Sequence, residues 1–131
     1  MLECLILGDS IAVGIHQSRP ECAVYAKSGI NSRDFVNRYI GKDLVADTVV
    51  ISLGSNDHQG IKTKNELLDL RSQVLAKKVY WILPAIKPDI QEIVEEVANK
   101  HGDWIVKIPN LAQDGIHPST RGYKKIGEIT K

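Results

Sequence analysis

Short apolar runs alternate with amphipathic stretches along the whole chain. The runs at 2–7, 22–25, 48–53, 78–83 and 104–108 read as strands. Val49-Val50-Ile51 and Tyr80-Trp81-Ile82-Leu83 are continuous rather than alternating, the pattern of strands covered on both faces of a parallel sheet. The stretches between them carry helix signals. Asn31 or Ser32 opens a helix with Phe35, Val36, Tyr39 and Ile40 inward and Gly41 at its end. Thr63-Lys64-Asn65-Glu66 has the form of a capping box, followed by Leu67, Leu70 and Val74 on one face. Pro88-Asp89 precedes the stripe Ile90, Ile93, Val94, Val97, and His101-Gly102 supplies the stop. A last helix follows Pro118 and carries Tyr123, Ile126 and Ile129.

About five βα units result, joined by connections too short to hold a second domain. Right-handed crossovers make of them an α/β fold, a three-layer α/β/α sandwich. The expected sheet is parallel and five-stranded with the flavodoxin-like order 2-1-3-4-5, in one domain over 1–131. No repeat, linker or low-complexity tract interrupts it.

Composition narrows the function classes. The chain has 131 residues, 43% of them hydrophobic and 25% charged, as expected of a globular domain. A formal net charge of +1, with no basic block, gives no pull toward nucleic acid. No run is long enough to span a membrane. The apolar start breaks at Gly8 and lacks a basic leader, so it reads as a first strand, and a cytoplasmic protein is the expectation. Cys4 and Cys22 lie in apolar segments without metal-ligand or redox spacing, and are read as buried free thiols.

The polar residues that carry chemistry gather in four loops at the carboxyl ends of the strands, where open α/β sheets bind their ligands. They are Gly8-Asp9-Ser10, Ser28-Gly29-Ile30-Asn31, Gly54-Ser55-Asn56-Asp57 and Asp114-Gly115-Ile116-His117-Pro118. A serine hydroxyl attacks a carbonyl only if a base takes its proton. An imidazole suits that task, and a carboxylate on its other nitrogen fixes the tautomer. Asp114 and His117 share a glycine-containing loop, and Pro118 holds His117 in extended backbone. Ser10, His117 and Asp114 are therefore the candidate nucleophile, base and orienting acid. Donors for the developing oxyanion are the Ser10 backbone N–H at a helix start, the Gly29 N–H and the Asn56 side-chain amide.

These blocks, in this order and each after the expected strand, resemble the SGNH/GDSL hydrolases. Gly8-Asp9-Ser10 matches that family's first block, Gly29 its second, Gly54-Ser55-Asn56-Asp57 its third, and Asp114-Gly115-Ile116-His117-Pro118 its fifth. The resemblance implies a serine esterase or acylhydrolase with Ser10, His117 and Asp114 as triad, an oxyanion hole of Ser10, Gly29 and Asn56, and no cofactor or metal. Ile11 stands where the family's name has leucine. The chain is also shorter than most members, so insertions that shape a substrate pocket are expected to be missing.

Other readings compete. Ser10 alone is a helix N-cap residue and Asp114 a turn residue. Asp9 and Asp57 are read as structural, bonding loop amides. His58 is a rival base without a carboxylate at comparable spacing. His16 and His101 are read as solvated or capping. Asp9, Asp57, His58, Asp114 and His117 together would suit a metal-dependent phosphoesterase. A non-catalytic flavodoxin-like binding module is the non-enzyme alternative. The loops carry Lys27, Ser28, Asn31, Arg33, His58, Gln59, Lys62, Asn110 and Gln113, which favour a small-molecule or carbohydrate-linked ester, and Ile30, Ile61 and Ile116 offer room for a short acyl group. A lysophospholipase or thioesterase of the same family is the alternative substrate reading.

Overall fold

A computed structural model describes residues 2–131. Five strands, β1 (Leu2–Gly8), β2 (Ala23–Ala26), β3 (Leu44–Ser52), β4 (Val74–Leu83) and β5 (Trp104–Lys107), alternate with five helices. The helices are α1 (Ser10–Ser18), α2 (Ser32–Tyr39), α3 (Thr63–Ser72), α4 (Pro88–His101) and α5 (Thr120–Ile129). The sheet order is β2-β1-β3-β4-β5, every neighbouring pair is parallel, and the expected topology is the one observed.

The unbroken apolar runs fill two cores, one on each side of the sheet. Leu5, Leu7, Val49, Ile51 and Trp81 face α2, α3 and α4, where they meet Phe35, Leu67 and Val94. Cys4, Ile6, Val50 and Ile82 face the other way, toward Ile11 and Ile15 of α1 and Ile126 of α5. Each such side chain, fully buried, contributes about 1.5–3 kcal/mol of transfer free energy.

Several local expectations change. β3 and β4 begin earlier than the apolar runs, with Leu44 opposite Val74 and Ala46 opposite Ala76. Polar positions hid this extension, because Asp47 and Lys77 form a surface ion pair there at 3.6 Å. Val74, expected on a helix face, is consequently the first residue of β4. Ile40 and Ile129 are exposed rather than inward. The capping box does not form. Thr63 is inside α3, and its hydroxyl donates to Asp57 Oδ2 at 2.7 Å instead. Pro88 at the start of α4 and Gly102 in left-handed conformation at its end are as expected.

Cys4 and Cys22 are not free thiols: they form a disulfide, with Cα atoms 4.8 Å apart. The pairing follows from register. Leu5 stands opposite Ala23, so Cys4 and Cys22, one step earlier on each side, are neighbours. Nothing in the spacing of two cysteines 18 residues apart reveals this, because register is a property of the folded sheet. Closing a loop of that length stabilises a chain by about 3 kcal/mol. Reduction, or the double replacement Cys4→Ala/Cys22→Ala, is expected to lower the unfolding free energy by about that amount. Urea denaturation with and without reductant measures it; equal midpoints would show that the bond is absent in solution.

Candidate active site

The first loop is set by a close approach of two strand ends. Gly8 has φ 142°, and a Cβ there would lie 1.9 Å from the Ser52 carbonyl oxygen, so only glycine fits. The Asp9 N–H donates to that same carbonyl at 3.0 Å. Asp9 then caps α1: its Oδ1 accepts from the Ile11 N–H at 3.0 Å and the Ser52 hydroxyl at 3.1 Å. Ser10 is thus not the cap but the first helical residue, with its hydroxyl not engaged in capping and its N–H among the unpaired amides of the helix start.

The fifth-block loop folds back on itself. Leu111 bridges Pro118, and the Ala112 N–H donates to the His117 carbonyl at 2.8 Å. Asp114 Oδ1 accepts the N–H groups of Ile116 at 2.9 Å and His117 at 3.0 Å. Its Oδ2 lies 2.7 Å from His117 Nδ1, and His117 Nε2 lies 2.9 Å from Ser10 Oγ. Sequence positions 107 residues apart are brought into one hydrogen-bonded chain. The bonds from Ile116 and His117 pull the Asp114 carboxyl down to about 2, so it is ionised at any working pH. An ionised Asp114 makes Nδ1 the donor, which leaves Nε2 to accept the serine proton.

The second and third loops stand beside this chain. Gly29 is exposed, with φ 81° and no atom within 4 Å of where a Cβ would be. Asn56 Nδ2 donates to the Ile30 carbonyl at 3.1 Å, which joins the two loops and leaves one N–H of the amide. Asp57 is structural, as read: its carboxylate accepts from the Ser32 N–H at 2.8 Å and from Thr63. Lys87, to which no motif points, donates from Nζ to the carbonyls of Ser55 and Asp57.

The rival residues are placed elsewhere. His58 is exposed and its Nδ1 accepts only from the Gly60 N–H at 3.3 Å, with no carboxylate partner. His16 and His101 meet the carbonyls of Cys22 and Val97 at helix ends. The five-ligand set of the phosphoesterase reading does not converge, since Asp9 and Asp57 turn into their loops. Ile30 and Ile61 are buried, so of the three isoleucines only Ile116 presents surface near the site.

The architecture is that of the SGNH/GDSL hydrolase fold. No protein-family profile and no curated protein matches the chain in sequence. Solved structures match it in shape. An acylhydrolase from Bacteroides fragilis superposes with a TM-score of 0.71 at 18% identity, over 98% of this chain and 84% of that one. A GDSL-like lipase from Bacteroides ovatus gives 0.69 at 16% identity, covering 98% and 95%. A two-domain esterase active on acetylated mannans gives 0.62 at 13% identity, covering 98% of this chain and 47% of its own. Among the described residues no helix is long and apolar enough to cross a membrane.

Asp9 generates a stability prediction. Burial pushes its carboxyl up to about 6, and the bonds from Ile11 and Ser52 recover only part of that shift. Its Oδ2 is buried without a partner. The folded state therefore binds this proton more tightly than the unfolded chain, whose value is 3.8. The resulting stabilisation is complete below 3.8 and is lost as pH rises through about 6, by about 3 kcal/mol. Unfolding free energies of wild type and Asp9→Asn, compared from pH 3 to 7.5, should diverge by that amount. Parallel curves would remove Asp9 as the titrating group.

Proposed function

We propose that the protein is a serine hydrolase of carboxylic esters. The observation that carries this reading is the continuous chain Ser10 Oγ–His117 Nε2–His117 Nδ1–Asp114 Oδ2, with spacings of 2.9 and 2.7 Å. Ser10 attacks the ester carbonyl while His117 takes its proton. Asp114 holds the imidazolium that forms. The oxyanion is received by the N–H groups of Ser10 and Gly29 and by the Asn56 amide. His117 returns the proton to the departing alcohol, and water releases the acyl group by the same steps in reverse.

The substrate we infer is a short acyl ester, acetyl above all, on a polar or carbohydrate-like scaffold. An open groove of about 340 Å³ runs along Gly29, lined by Lys27, Ser28, Ile30, Asp34 and Arg38. Such a groove suits hydroxyl-rich groups and offers no apolar channel to reward a long chain, whose methylenes gain about 0.8 kcal/mol each only when buried. The likeness to an esterase active on acetylated mannans is in keeping with it.

Ser10→Ala is expected to lower turnover of a nitrophenyl acetate by on the order of 10⁴, and His117→Ala by a comparable factor. Asp114→Ala should cost less, and Asn56→Ala on the order of a hundredfold in kcat with KM little changed. Asp114, held near 2, stays ionised across the working pH range and adds no pH limb of its own. Near-wild-type turnover in Ser10→Ala would remove it from the mechanism.

The acyl preference is read from nitrophenyl esters of increasing length. The expected maximum of kcat/KM is at acetyl or propionyl. A maximum at octanoyl or longer would favour a lysophospholipase or thioesterase.

A further inference from the structure

Lys87 occupies the turn between β4 and α4, at the same sheet edge as the four loops. Its φ of 65° is left-handed, sparsely populated for a residue with a side chain. Strained backbone of this kind persists where surrounding contacts hold it. Here its own carbonyl accepts the N–H groups of Ile90 and Gln91, each at 3.0 Å, and its side chain adds two more contacts. The Nζ donates to the Ser55 carbonyl at 2.8 Å and to the Asp57 carbonyl at 2.7 Å. Those carbonyls flank Asn56 on either side, in a turn already closed by the Asp57 N–H on the Gly54 carbonyl. From its own side chain Asn56 is tied to Ile30. One N–H of the amide remains, and its direction is set by the Ile30 bond together with the position of the Asn56 backbone.

We propose that Lys87 is a positioning residue for Asn56: its ammonium clamps both peptide carbonyls around that residue and so aims the remaining amide N–H at the oxyanion. The inference rests on the Ser10-hydrolase reading above. Without the ammonium the two carbonyls lose their charged donor, and the turn carrying Asn56 is free to shift. Displacements of about an ångström in a catalytic group cost up to a hundredfold in rate. A clamp that only stabilised the fold would not act through Asn56 in particular.

The test is a double-mutant cycle on an acetyl ester. Lys87→Met should lower kcat by roughly tenfold with KM within about twofold, since the lost aim matters only to charge formed in the transition state. Lys87→Met/Asn56→Ala should match Asn56→Ala alone within about twofold, as coupled residues do not add. Lys87→Arg should restore most of kcat, because a guanidinium offers paired donors to two carbonyls. Unchanged kcat in Lys87→Met, or losses that multiply in the double variant, would overturn the proposal. Thermal melts accompany each variant, and Lys87→Gln replaces Lys87→Met in the cycle if the latter does not fold. Labelling of wild-type Ser10 by a fluorophosphonate, read by mass spectrometry, separates the two levels. A wild type that neither labels nor hydrolyses overturns the underlying reading and this inference with it. A labelled, active wild type with an indifferent Lys87 overturns this inference alone.

Discussion

The site depends on how closely the ends of β1 and β3 approach. At Gly8 the two backbones are so near that a Cβ would overlap the Ser52 carbonyl. That contact lets the Asp9 N–H reach the Ser52 oxygen and the Ser52 hydroxyl reach Asp9 Oδ1. The second bond orients the carboxylate that caps α1, and the cap decides where the helix begins. Ser10 is consequently fixed on both sides, by a strand behind it and a helix ahead. Small side chains at positions 8 and 52 are as much a part of presenting the serine as the serine itself.

The remaining loops are stitched to one another rather than to the core. Asp57 of the third loop holds the first amide of α2 and the hydroxyl of Thr63 in α3. Asn56 holds the carbonyl of Ile30, and Lys87 holds the third loop from the side of α4. All but the Asp57–Thr63 bond join segments that follow different strands. Rigidity at the open edge comes from these cross-loop bonds.

The sheet order and the triad candidates were legible because each rests on short-range signals. Continuous apolar runs mark doubly covered strands, and glycine with small polar residues marks their ends. What was not legible depends on partners distant in sequence. Thr63 looks like a cap until Asp57 draws its hydroxyl away. The early starts of β3 and β4 are hidden by polar residues that pair only across the sheet. The disulfide requires the β1–β2 register. That bond also bears on location. Disulfides persist in oxidising compartments, so the cytoplasmic expectation loses the support that two free thiols would have given it. Lys87 carries no sequence signal, since a lysine before proline predicts only extended or turn backbone.

Two aspartates near Ser10 show how a small domain separates structural from chemical carboxylates. Asp9 is wholly buried, and desolvation raises it to about 6 despite two donors. Asp114 is exposed, and backbone N–H groups lower it to about 2. Larger enzymes can bury the acid of a triad and hold it ionised with a dense network. Here the chain has no depth at that edge, and the loop's own amides do the work from within three residues. The arrangement keeps the acid charged without protecting it from water, so its pull on the imidazole is screened more than in a buried triad. Orientation of His117, through the short Nδ1–Oδ2 contact and the folded-back loop, is then the larger part of what Asp114 contributes. In the proposed mechanism, the geometry of the loop, more than the charge it carries, sets how well the site can activate Ser10.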